Sequence, residues 1–207
     1  GENFRVPLNE CDFAFSMKYI DHPRHMRLPH YVLYDHYCGL APVDREALSA
    51  SIQRKKRFCT FVVSNPSCRH RVRFFHLLNE AKAVDSGGKY LNNIGGPVKD
   101  KIEFLREGRF HIAFENESCP GYVTEKVTGA LAAGTIPIYW GSPRVHEDLD
   151  PGCFVNAHDY DSLNALVDAV IKLDEDPVSY ERVATHPRFP GDRLPIQWSR
   201  DGLLKKL

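Results

Sequence analysis

FENESCPGYVTEKVTGALAAGTIPIYWGSP, residues 114–143, decides the fold. It opens at the end of an apolar run, Phe110–Phe114, and breaks at Pro120-Gly121. It resumes with helical periodicity over 122–133, which Gly134 closes, and enters a second apolar run, Ile136–Trp140. Strand, helix and strand in this succession predict a parallel pair joined by a right-handed crossover. Two glutamates and a Glu-Lys pair crowd the mouth of that unit, and a charge density of this kind needs a reason.

The predicted helix can be read by face. Val123, Val127, Ala130 and Leu131 share the side that packs on a sheet, while Tyr122, Glu125, Lys126 and Gly129 share the other. An aromatic ring, a carboxylate and an amine therefore project together from the first turn. That turn also offers unpaired N–H groups and the positive end of the helix dipole, which suit a phosphate. Lys126 adds a point charge, and Glu125 would repel a phosphate but accept hydrogen bonds from a sugar or ribose hydroxyl. A ligand with anionic and hydroxylated parts, such as a nucleotide sugar, fits. The plainer alternative stays open: Glu125 as a dipole partner, and Glu125-Lys126 as a solvated surface pair.

Outward from this unit the alternation continues. Arg57–Ser64 is a nearly continuous apolar run, as expected of a strand buried on both faces, and residues 70–83 follow it as a helix. Residues 43–54 read as a helix, and a short helix ends at Leu105. Cys153–Asn156 reads as a strand, 162–173 as an amphipathic helix, and another helix starts near Pro177. Pro137 within its strand predicts a bulge or one-sided pairing. Residues 1–40 read as irregular, with short strands at Phe13–Phe15 and Tyr31–Tyr34, and the segment from Gly191 as a loosely held tail. The fold class is α/β with a Rossmann-like parallel sheet.

Ligands of such sheets bind beyond the carboxyl ends of the strands. Three of those ends carry polar clusters: Ser64-Asn65 with Arg69–Arg73, then Glu115–Glu117, then Gly141–Arg144. Arg71, early in the helix after its strand, is placed to grip the same pyrophosphate with two N–H groups.

Lys+Arg and Asp+Glu balance at 27 each, which gives no support for a nucleic-acid partner. The Arg69–Arg73 run lacks the interleaved aromatics of a single-strand platform. No apolar stretch reaches membrane-spanning length. The six cysteines are scattered without a C-x-x-C pair, as free thiols would be, and their spacing to histidines matches no standard zinc pattern. Residue 1 is Gly and no apolar leader follows it, so a fragment of a longer chain or a processed chain is expected.

Phe114-Glu115-Asn116, Gly121–Lys126 and Ile136–Pro143 together resemble the donor-binding motif of the α-1,3/4-fucosyltransferases, with Ile-Pro-Ile-Tyr-Trp-Gly closest to bacterial members. Phe61–Asn65 with Arg71 resembles the preceding strand–helix of that donor domain, and Gly1-Glu2-Asn3 with Arg27-Leu28-Pro29 the end of the acceptor domain. The resemblance implies the two-domain GT-B fold, with residues 1–45 the remnant of an N-terminal acceptor domain. Residues 46–185 would be the GDP-fucose-binding domain and 186–207 a tail. It implies inverting transfer of fucose from GDP-fucose to a glycan hydroxyl, with Glu2 as general base and Arg71 and Lys126 on the phosphates. Glu125 would meet ribose or fucose hydroxyls, and Asn116 and Tyr122 would complete the pocket. No cofactor is required and a divalent metal would at most stimulate; Asp148-Leu149-Asp150 has the letters of a metal motif but lies away from the site. A glycan acceptor is the expected partner, with peripheral membrane contact. The expected location is cytoplasmic or membrane-associated for a bacterial-like protein and the Golgi lumen for a eukaryotic one. Two alternatives stand beside this reading: a GDP-sugar-binding module without catalysis, and a GT-B transferase of another nucleotide sugar.

Overall fold

The computed structural model of the protein describes residues 6–205. Two short parallel strands, β1 (Ala14–Ser16) and β2 (His25–Arg27), precede the main sheet. That sheet is formed by β3 (Arg57–Phe61), β4 (Val84–Ser86), β5 (Gly108–Phe114), β6 (Ile136–Trp140) and β7 (Val155–Asn156). All its pairs are parallel and the order is β4-β3-β5-β6-β7. The helices are α1 (Arg45–Ile52), α2 (Arg69–Ala81), α3 (Lys101–Arg106), α4 (Glu125–Ala132), α5 (Leu163–Glu175), α6 (Pro177–Ala184) and α7 (Arg200–Leu204). From β3 the chain crosses first to β4 on one side and then returns to β5 on the other. The crevice between the carboxyl ends of β3 and β5 is thus the point where winding reverses, the place where open α/β sheets receive ligands.

Burial on both sides explains the continuous apolar runs. On one face Phe61, Phe110, Ile112 and Phe114 pack against Phe74, Phe75 and Leu78 of α2, Val167 and Val170 of α5 and Tyr180 of α6. On the other, Ala113 and Tyr139 meet Val127 and Leu131 of α4 together with Val123, Tyr31, Tyr37, Phe189 and Trp198. Pro137 sits in an unbroken ladder opposite His111, and β7 pairs only from Ile138 onward. There is no bulge, because the missing N–H faces the side where pairing has not begun.

Three sequence expectations are corrected. Tyr31–Tyr34 is not a strand: His30–Leu33 is a turn of 3₁₀ helix after Pro29, and it drives the Tyr31 ring into the core at 0% exposure. The tail is not loosely held. Phe189 is fully buried, Trp198 is 7% exposed, its indole N–H donates to the Arg27 carbonyl (3.1 Å), and Asp192 accepts from the Val43 N–H (3.0 Å). β4, only three residues long, carries no legible period and was not expected. The Asp148–Asp150 pair is structural: Asp148 takes two hydrogen bonds from the Arg27 guanidinium (2.7 and 2.8 Å), and Asp150 accepts from the Gly152 N–H. All six cysteines are unpaired.

Candidate functional site

At the switch point a cleft of about 220 Å³ opens between the β3 and β5 ends. Arg71, Asn116, Glu125 and Lys126 line it, joined by Asn65, Lys101 and His111. Four of the six expected site residues therefore meet in one place. Tyr122 does not: it is buried, and it borders a separate apolar hollow with Val6, Phe15, Met17 and Leu33. Glu2 lies outside the described residues.

Each side chain is placed by its element. Arg71 is the third residue of α2, whose entry is fixed by Asn65 Oδ1 accepting from the Ser67 N–H (2.9 Å). Its guanidinium donates to the Phe114 carbonyl and Asn116 Oδ1 (both 3.1 Å) and to the Asn65 carbonyl (2.8 Å), tying the two strand ends together. All three partners are neutral, so the positive charge stays uncompensated at close range. Arg71 is only 2% exposed, and among the described residues its Nε finds no acceptor. An open two-point fork toward a ligand is not its arrangement here; it shapes the crevice wall and supplies the field.

Helix α4 begins later than the period implied, because Thr124 is its N-cap. Tyr122 therefore precedes the helix and does not share the face of Glu125. The charge crowding at this junction is partly internal. Glu115, 0% exposed, accepts from the Thr124 N–H (2.8 Å) and from the Lys126 ammonium (2.8 Å), and the Thr124 hydroxyl lies 2.8 and 2.9 Å from its two oxygens. Burial pushes the Glu115 carboxyl above the ordinary carboxylate range, against the pull of Lys126 and Thr124. Glu125 goes the other way. Burial opposes its ionisation, but the ammonium groups of Lys126 and Lys101 outweigh that and hold its carboxyl below the usual range. Tyr34, from the segment before α1, lies beside Glu125, and His36 Nε2 is 2.9 Å from Thr128 Oγ1.

The Trp-Gly-Ser-Pro end of the motif also has a steric cause. A Cβ on Gly141 would stand 2.5 Å from Glu115 Cγ, so only glycine lets the carboxylate sink that far. Ser142 Oγ accepts from the Gly121 N–H (3.0 Å), and its own N–H donates to the Tyr139 hydroxyl (2.8 Å). Sequence reasoning grouped Glu115 with a polar strand end but gave it no role. It passed over His111, which lies within β5, and Lys101, which carries no motif and enters the cleft through the packing of α3.

The profile described as "Glycosyltransferase family 10 (fucosyltransferase) C-term" matches residues 52–185. The chain belongs to glycosyltransferase family 10. Two curated members bear this out in detail. The Helicobacter pylori alpha-(1,3)-fucosyltransferase FucT is 44% identical over 116 residues, 56% of this chain and 24% of that protein. Alpha-(1,3)-fucosyltransferase B of Drosophila melanogaster is 41% identical over 101 residues, 47% of this chain and 22% of its own length. A crystal structure of an alpha1,3-fucosyltransferase with GDP-fucose superposes with a TM-score of 0.78 at 32% identity, covering 90% of this chain and 64% of that one. This family 10 chain thus spans about a quarter of the curated relatives and under two thirds of the solved one. Its α/β fold with a parallel sheet is that of the GT-B-type fucosyltransferase structures.

Proposed function

We propose that this chain is the donor-binding part of an inverting fucosyltransferase. It holds GDP-fucose in the cleft between β3 and β5 for transfer of L-fucose to a glycan hydroxyl, on N-acetylglucosamine or glucose, in α-1,3 or α-1,4 linkage. The observation that carries the reading is the meeting of Arg71, Asn116, Glu125 and Lys126 at the switch point of the sheet. Cations there match a diphosphate, and the ionised Glu125 matches hydroxyls. Asn116 is held by Arg71 and keeps its amide N–H groups for a ligand oxygen.

The chemistry then asks little of the protein beyond positioning and charge. An acceptor oxygen attacks the anomeric carbon as its proton passes to a carboxylate, the role we assign to Glu2, and GDP departs from the opposite face. The cationic wall stabilises charge growing on that leaving group, so no cofactor is required and a divalent ion would add only stimulation. Residues 1–45 are assigned as the end of an acceptor-binding domain, 46–185 as the donor domain and 186–207 as its C-terminal extension. Among the described residues no helix is long and apolar enough to cross a membrane. Peripheral membrane contact belongs to this reading, with cytoplasm, a membrane-associated location or the Golgi lumen as the compartment according to source.

Calorimetric titration with GDP-fucose, GDP-mannose and UDP-galactose tests this. GDP-fucose should bind best, and Glu125→Ala should weaken it by roughly tenfold through the lost hydroxyl contacts. Equal binding of all three sugars, or of none, would end the reading. A transfer assay on N-acetyllactosamine then separates an enzyme from a module that only binds the donor.

A further inference from the structure

The cations of the cleft are not equivalent. Lys126 is already neutralised, its ammonium 2.8 Å from the buried Glu115 carboxylate and 3.1 Å from Thr124 Oγ1. Arg71 commits three of its four terminal N–H groups to neutral acceptors. The third cation, Lys101, opens α3 and lines the same cleft, half-buried. Among the described residues its ammonium makes no hydrogen bond and no ion pair; it feels Glu125, Lys126 and Glu115 only at longer range. A partly desolvated ammonium with no protein acceptor is stabilised by an anion that takes up its donors. Lys126, Arg71 and Lys101 face two carboxylates, Glu115 and Glu125, so the cleft carries one positive charge over.

We infer that Lys101 is a diphosphate-binding residue of the donor site: its ammonium, held by no protein acceptor among the described residues, contacts the phosphate oxygens of the nucleotide alongside Arg71 and Lys126. This rests on the donor-site reading above and adds to it a residue outside the family-resembling motif. Burial supports the assignment. It pushes the Lys101 ammonium below its usual value, with Lys126 acting in the same direction, and the negative charge of an arriving diphosphate opposes that lowering.

The test uses the whole chain and compares GDP with guanosine, which lacks the phosphates. In Lys101→Met, GDP affinity should fall by about tenfold or more while guanosine binding stays unchanged, and Lys101→Arg should recover most of the GDP affinity. Wild-type binding of GDP together with an unaltered GDP affinity in Lys101→Met would overturn the role of Lys101 and leave the donor site standing. Equal loss of GDP and guanosine in Lys101→Met would also overturn it, by showing a lysine that only shapes the cleft. A wild-type chain that binds GDP no better than guanosine would overturn the donor-site reading itself, and Lys101 with it.

Discussion

His111 shows how strongly one residue in this cleft is conditioned by its surroundings. It lies in the central strand, 2% exposed, with Nδ1 3.0 Å from Thr60 Oγ1. Burial, with the Lys101 charge adding to it, lowers its pKa from 6.5 to about 3. The folded protein therefore keeps the ring neutral over a range in which the unfolded chain binds a proton. The resulting stability is complete above pH 6.5 and is lost as pH falls toward 3. The slope approaches about 1.4 kcal/mol per pH unit. Denaturant unfolding at pH 7 and pH 5 should show wild type losing about 2 kcal/mol more than His111→Gln over that interval. An equal loss in both proteins would mean that the ring protonates in the folded state. Glu115 teaches the complementary point about reading a sequence. Its place at a strand end was visible, yet its function as an internal anchor depends on Thr124, Lys126 and Gly141 converging on it. No periodicity reports such a convergence.

At the scale of elements, the strands and helices of residues 57–184 other than β4 were legible because each buries an apolar face whose period survives in the sequence. The boundaries that moved did so through capping. Thr124 accepts from the Lys126 N–H and starts α4 three residues later than the hydrophobic pattern indicates. The loop before it is shaped by contacts from far away in sequence. Gly121 has φ +86°, and a Cβ there would lie 2.2 Å from the Met17 carbonyl oxygen, in the stretch that follows β1. Gly121→Ala therefore pays left-handed strain and forces two backbone segments apart, about 2–5 kcal/mol together. Gly95→Ala serves as its control: φ is +89°, but nothing lies within 4 Å of the added methyl. Thermal unfolding should place Gly121→Ala well below Gly95→Ala, and the same shift, by displacing the start of α4, should weaken GDP binding. Equal midpoints would show that the Met17 contact yields without cost.

For the whole molecule, what the sequence concealed is the partnership of its two ends. Neither the segment before α1 nor the residues after α6 has a strong period, so both read as irregular. Yet Tyr31, Tyr37, Phe189 and Trp198 share one cluster on the α4 face of the sheet. Trp198 is the keystone of that cluster. Its ring meets Tyr31 edge-on at 5.9 Å, its N–H donates to the Arg27 carbonyl, and the Arg27 guanidinium it covers is bound to the buried Asp148. Removing the indole leaves a void and exposes that ion pair to water. Trp198→Ala should cost about 3–5 kcal/mol, and in a chain of this size each kcal/mol lowers the midpoint by about 2–4 °C, so a fall of roughly 6–20 °C is expected. Trp198→Phe keeps most of the packing and loses only the N–H, so it should fall by much less. Because α4 lies between this cluster and the cleft, the Ala variant should also lose donor affinity in proportion to the fraction unfolded, and regain it on cooling. A Trp198→Ala protein with an unchanged midpoint would mean that the C-terminal segment is an appendage and that the sheet and α4 stand without it.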